Sequence, residues 1–208
     1  MKVLLVNGSF HKDGCTYTAL KEIEKTLNSH GIETEIFQTG SLEIKDCCGC
    51  GLCRKQKNNK CVFNDIANEL IEKAKECDGF VFGSPVYFAH PSGRIISLMN
   101  RAFYAGKKNF MFKPAAAIAS ARRAGTTATL DVLMKHFTIS NMPVVPSTYW
   151  NMVHGNNPDE VKQDLEGLQT MRNIGNNMAW MLKSFEIAKN SGIMPPTQEE
   201  QVRTNFIR

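Results

Sequence analysis

Short runs of consecutive apolar residues, each followed by a stretch of helical periodicity, recur along this chain, and that alternation permits few architectures. Val3-Leu4-Leu5-Val6 and Phe80-Val81-Phe82 are continuous rather than alternating. Strands of that kind are buried on both faces, as in parallel sheets covered by helices. The predicted strands are Lys2 to Asn7, Ile32 to Phe37, Gly79 to Ser84, Ala115 to Ser120 and Val144 to Thr148. Between and after them helices are predicted at about Thr16 to Ser29, Asp65 to Glu76, Ser92 to Phe103, Thr126 to Ile139 and Asp159 to Lys189. Leu20, Ile23 and Leu27 share one face of the first helix, and Gly31 ends it. Asp65 suits the N-cap of the second. Strands separated by helices imply right-handed βαβ units. The expected fold is a three-layer α/β sandwich with five parallel strands in the order 2-1-3-4-5.

The 208 residues, 42% of them apolar, suffice for one such domain. Residues 1–190 are assigned to it, with a cysteine-rich insertion at 46–64 and a tail from Ser191 to Arg208. No apolar run approaches the roughly 18 residues of a membrane span. Met1-Lys2 and the short run after them do not resemble a secretory signal, so a cytoplasmic protein is expected. The net charge of +5 is spread over scattered Lys and Arg, unlike the concentrated basic stripe that nucleic acid requires. Neither nucleic acid nor a membrane is expected as a partner.

In a doubly wound sheet, ligands bind beyond the carboxyl ends of the strands, where the strand order reverses. Three loops then matter. The first, Gly8 to Thr16, joins a strand to a helix N-terminus, a natural site for one phosphate. Ser9, Thr16 and Thr18 add hydroxyl donors. It lacks both the Walker ending and G-x-G-x-x-G. The same residues would serve as a polar turn capped by Thr16. In the second, Gly83 to Gly93, Tyr87 and Phe88 stand between Pro85 and Pro91 and could bracket a flat ring, or could simply cap the core. The third, Ser120 to Thr127, joins Gly125 to Arg122 and Arg123, which suit negative charge on a ring or else lie solvated at the surface.

Five of the seven cysteines, Cys47, Cys48, Cys50, Cys53 and Cys61, fall within fifteen consecutive residues. In a cytoplasmic chain this density points to metal or redox chemistry. Cys47, Cys50, Cys53 and Cys61 read C-x2-C-x2-C-x7-C, a spacing nearer to a [4Fe–4S] ligand set than to paired zinc knuckles. The thiols could instead stay reduced, form a disulfide or act as a redox pair. Cys77 is expected to be a buried helix-end cysteine.

Taken in order, Gly8-Ser9…Gly14-Cys15-Thr16, the cysteine cluster with Asp65, and Gly83-Ser84-Pro85-Val86-Tyr87-Phe88 resemble the NAD(P)H-dependent FMN reductases, and within them the iron–sulfur flavoproteins. The resemblance runs from Met1 to about Leu182. It implies a flavodoxin-like fold, one FMN and NAD(P)H as cosubstrate. By position, Ser9, Thr16 and Thr18, with backbone N–H groups from His11 through Gly14 to Cys15, would hold the FMN phosphate. Pro85, Val86, Tyr87 and Phe88 would line the isoalloxazine. Ser120, Arg123 and Gly125 would lie at its pyrimidine side. Cys15 stands where the family commonly has Asn, and Ala124-Gly125 where it often has two glycines.

The expected activity is transfer of electrons from NAD(P)H or ferredoxin to a small acceptor such as a quinone, with Tyr87 as the candidate proton donor and passage through a [4Fe–4S] cluster at the four cysteines. A homodimer or homotetramer is implied. Two competing readings stand beside it: an electron carrier exchanging with ferredoxin-like partners, and a thiol redox sensor.

Overall fold

The computed structural model describes residues 1–41 and 43–207. The chain forms β1 (Lys2–Asn7), α1 (Cys15–Ser29), β2 (Glu33–Gln38), α2 (Leu52–Gln56), α3 (Ile66–Glu76), β3 (Gly79–Tyr87), β4 (His90–Pro91) and α4 (Gly93–Gly106). After a 3-10 turn, Lys107–Asn109, come β5 (Ala115–Ala121), α5 (Thr126–Thr138), β6 (Met152–His154), α6 (Pro158–Gln163) and α7 (Leu165–Asn190). The main strands are parallel in the order β2-β1-β3-β5-β6, which is the expected flavodoxin-like 2-1-3-4-5 order. β4 pairs antiparallel with the end of β3.

Alternate residues of each strand feed opposite faces, as the pleat requires. Leu4, Val6, Phe80 and Phe82 point to a core closed by α3, α4 and α5, where Leu70, Leu98, Phe103 and Phe137 pack. Val3, Leu5, Val81 and Ile118 point to the other core, under α1 and α7, with Leu20, Ile23, Ile174 and Met178. Both faces are therefore dry, which explains the unbroken apolar runs. Among the described residues, no helix is long and apolar enough to cross a membrane.

Three elements differ from expectation. The last strand is Met152–His154; the stretch Val144 to Thr148 contributes only a bridge between Val144 and Ala115. Pro143 has no N–H to donate towards β5, and pairing there is limited to the Val145 N–H on the Ala115 carbonyl and the Ala115 N–H on the Pro143 carbonyl. The long final helix is two, because Asp164 leaves helical geometry (φ −77°, ψ 78°) to cap α7 through the Gly167 N–H and to accept from the His154 N–H at 2.7 Å. β3 runs three residues past Ser84, so Pro85, Val86 and Tyr87 stand on a strand rather than in a loop. Beyond Asn190 the tail has no regular structure, and Phe206 and Ile207 are exposed. Arg208, with which the expected tail ends, lies outside the described residues.

Candidate functional site

The carboxyl ends of β1, β3, β5 and β6 open into a cleft of about 650 Å³, a size typical of small-molecule and cofactor sites. Its floor is organised by Asn7, a fully buried residue at the end of β1. The Asn7 side chain accepts from the Ser9 N–H at 3.1 Å and donates to the carbonyls of His11 and Lys12 and to Gln38 Oε1. Those bonds curl the chain from Ser9 to Gly14 around the N-terminus of α1, where free N–H groups and the helix dipole favour an anion. Ser9 Oγ accepts from the His11 N–H at 3.1 Å, and that bond does not use its own proton. Thr16 and Ser120, both buried, share a hydrogen bond of 2.8 Å across the cleft floor.

β1 and β3 lie close together here because Gly8 is a glycine. A Cβ on Gly8 would sit 2.7 Å from the Gly83 carbonyl oxygen, which already accepts from the Gly8 N–H at 2.8 Å. Ser92, the N-cap of α4, ties the same place to that helix: its hydroxyl donates to the Gly8 carbonyl at 2.8 Å.

The second wall is the β3–β4 hairpin. Pro85, Val86 and Tyr87 face the cleft. The turn residues Phe88 and Ala89 have φ of 52° and 57°, the left-handed pair of a two-residue hairpin turn, although neither is glycine. Each such residue costs about 1 kcal/mol. Gly125, at φ 91°, admits the turn: its built Cβ would be 2.6 Å from Ala89 Cα.

Of the expected contacts, Ser9, His11, Gly14, Cys15, Thr16, Pro85, Val86, Tyr87 and Ser120 line this cleft. Thr18, Phe88, Arg123 and Gly125 do not. The Thr18 hydroxyl turns back to the Gly14 carbonyl at 3.1 Å, as a helical threonine can. Phe88 is fully exposed at the hairpin tip. Arg122, not Arg123, lines the cleft; the Arg123 carbonyl lies 3.1 Å from His154 Nε2. Gly125 acts behind the hairpin. The fourth wall, Gly155 to Pro158, follows the displaced last strand and was hidden with it. Cys15 contacts that wall, its thiol 3.6 Å from the Gly155 carbonyl, and burial raises its pKa.

The cysteine segment forms a second site, on the side of α4. Cys47, Cys48, Cys50, Cys53 and Cys61 rim a small pocket floored by Arg101 and Tyr104. All seven cysteines stand as free thiols in this structure. Gly49 and Gly51 have φ of 65° and 69°, which lets the backbone curl between the first three thiols. Burial raises the pKa of Cys53. Among the described residues no three His, Cys, Asp or Glu side chains converge as ligands of one metal ion. A cluster with one thiolate per iron asks for separated sulfurs instead, and soft thiols beside a buried cation suit it.

Arg101 is that cation. Its side chain is fully buried and every N–H has an acceptor. Nε donates to Cys61 Sγ at 3.3 Å, Nη1 to Asp65 Oδ2 at 2.6 Å and the Lys45 carbonyl at 3.1 Å, and Nη2 to Asp65 Oδ1 at 2.8 Å and the Phe63 carbonyl at 3.0 Å. The signal for it was in the sequence: Arg101 follows Leu98 by three residues on the stripe of α4 that buries Ile95, Leu98, Met99 and Ala102.

With that geometry in view, the comparisons agree. The model of the family described as NADPH-dependent FMN reductase matches residues 1–157. An iron–sulfur flavoprotein of Methanocaldococcus jannaschii is 32% identical over 192 residues, covering 88% of this chain and 98% of its own. An iron–sulfur flavoprotein of Methanosarcina thermophila is 25% identical over 191 residues, covering 89% and 97%. A solved flavodoxin from the domain Archaea superposes with a TM-score of 0.60 at 14% identity, covering 88% of this chain and 99% of its own; at that identity it shows the fold.

Proposed function

The chain belongs to the NADPH-dependent FMN reductase family of flavin-dependent oxidoreductases, and from that premise we propose that it takes electrons from NAD(P)H or ferredoxin and passes them through FMN to a small acceptor such as a quinone. A [4Fe–4S] cluster held by Cys47, Cys50, Cys53 and Cys61 completes the path. The observation that carries this reading is the pairing of two sites through one helix: α4 is tied to the cleft floor at Ser92 and to the thiol pocket at Arg101.

Bound FMN supplies hydride acceptance and one-electron delivery at a single junction. The chain supplies placement. Backbone N–H groups from Lys12 to Cys15, with the Ser9 hydroxyl, would hold the phosphate. Pro85, Val86 and Tyr87, which line the cleft, would exclude water from one face of the ring. Arg122 and Ser120, which line the cleft, would supply polar groups towards its pyrimidine edge, and fixed donors there would favour the reduced form. Tyr87 is half exposed, placed to exchange a proton with solvent. Exposed Trp180, Phe185 and Ile187 on α7, with Phe206 and Ile207 on the tail, support a homodimer or homotetramer, since so much apolar surface is uncommon on a monomer.

An anaerobic visible spectrum with flavin, iron and sulfide measured on the same sample tests the reading. Flavin with about four irons per chain, and bleaching by NADH or NADPH, is the expected result. Flavin without iron removes the cluster. A protein that neither contains nor takes up FMN overturns the whole proposal. Flavin that neither nicotinamide reduces leaves ferredoxin as the donor.

A further inference from the structure

We propose that Arg101 is the positioning residue of the thiol site: it fixes Cys61 Sγ and, through its Nε–H, raises the reduction potential of the cluster. This rests on the cluster reading above and adds a residue that the cysteine spacing does not reveal.

The argument begins with what holds the segment. Residues 43–51 have no regular structure, and α2 is only Leu52–Gln56. The segment's shape is therefore set where its ends are tied. Arg101 ties both. One arm of the guanidinium takes the Lys45 carbonyl, two residues before Cys47; the rest takes Cys61, the Phe63 carbonyl and Asp65, beyond the other end. The plane of the guanidinium also lies over the Phe63 ring, 5.1 Å from its centroid. Asn68 braces the same turn, accepting from the Cys61 N–H at 2.8 Å and donating to the Cys61 carbonyl at 2.9 Å. Cys61 is thus held at its backbone by α3 and at its sulfur by α4.

The chemical consequence follows from the sign of the charge. A sulfur that accepts a hydrogen bond from a buried cation shares less electron density with its iron, so an added electron is better tolerated. Lysine at this position would keep the charge. It has no planar fork and no N–H in the place of Nε, so the Cys61 contact is the part it loses.

The test compares anaerobically prepared holoprotein, wild type and Arg101→Lys, by iron and sulfide content and by dithionite titration of the cluster. The variant's midpoint is expected to fall so that, at a fixed poise, the reduced-to-oxidised ratio drops about tenfold, about 59 mV for a one-electron couple. Arg101→Lys with a full cluster and an unchanged midpoint overturns the proposal.

If Arg101→Lys takes up no cluster, metal-free protein decides. Alkylation is mapped at Cys61 against exposed Cys48, with buried Cys77 as the control for an intact fold. Cys61 reacting more slowly than Cys48 in wild type, and equally in the variant, supports the anchor; the same ratio in both overturns it. A wild type with flavin but no iron has lost the cluster reading, and Arg101 as the anchor of Cys61 then stands or falls by that ratio alone.

Discussion

The guanidinium of Arg101 and the carboxylate of Asp65 meet side by side, Nη1 to Oδ2 at 2.6 Å and Nη2 to Oδ1 at 2.8 Å, with the arginine fully buried and the aspartate only 26% exposed. Asp65 is also the N-cap of α3, accepting from the Ala67 N–H. Asp65→Ala removes a cap and leaves a buried cation uncompensated. The expected loss is about 3–5 kcal/mol of folding stability, read as a lower urea midpoint. A loss below about 1 kcal/mol, the value of a cap alone, would mean that the pair is not a structural tie.

His136 predicts how stability depends on acid. It is half-buried against Phe103, and its Nε2 donates to Asn100 Oδ1 at 3.0 Å. Burial holds its pKa below the ordinary value. The unfolded chain therefore gains a proton near pH 6.5 that the native state refuses. Stability is full above that pH and falls as pH drops through it. Denaturant midpoints of wild type and His136→Gln at pH 7.5 and 5.5 check this. The advantage of wild type should shrink at the lower pH; an equal difference at both values refutes it.

The hairpin that walls the cleft rests on Gly125. Gly125→Ala adds a Cβ to a residue at φ 91°, 2.6 Å from Ala89 Cα. Strain of about 1–2 kcal/mol should appear as displacement of Tyr87 and FMN affinity weakened about tenfold. Quenching of flavin fluorescence on titration measures it, and wild-type affinity in the variant would show that the hairpin does not wall the ligand.

Cys77 should be chemically silent. It is buried at the end of α3, and burial pushes its thiol up to about 11. Native protein treated with iodoacetamide at pH 8 should be labelled at Cys48 and not at Cys77; rapid labelling of Cys77 would contradict its burial. Because the raised value favours the native thiol, its contribution to stability is full below about 8.5 and is lost as pH rises towards 11.

The sequence patterns that proved most readable were those enforced by burial. The continuous runs in β1 and β3 announced a covered parallel sheet, and Asp65 before Ile66-Ala67 announced a cap. What escaped was decided by long-range competition. Val144-Val145 has the composition of a strand, yet its pairing stops at Ala115, and the three residues from Met152 pair with the end of β5 instead. With that strand went the wall from Gly155 to Pro158. Closer in sequence, the Thr18 hydroxyl bonds the Gly14 carbonyl one turn back. Arg101 stood on the apolar stripe of α4, but nothing local shows that Cys61 and Asp65 fold over it.

α4 behaves as a ruler. Ser92 touches the cleft floor and Arg101 the thiol pocket, nine residues on, which at the fixed rise of an α-helix is about 14 Å along its axis. Neither loop can alter that spacing by its own rearrangement. A relative that inserts one residue between these anchors would rotate its thiol pocket by about 100° as well as move it, so viable changes of spacing come in whole turns. Loops at either end can diverge in sequence while the interval between them is inherited unchanged.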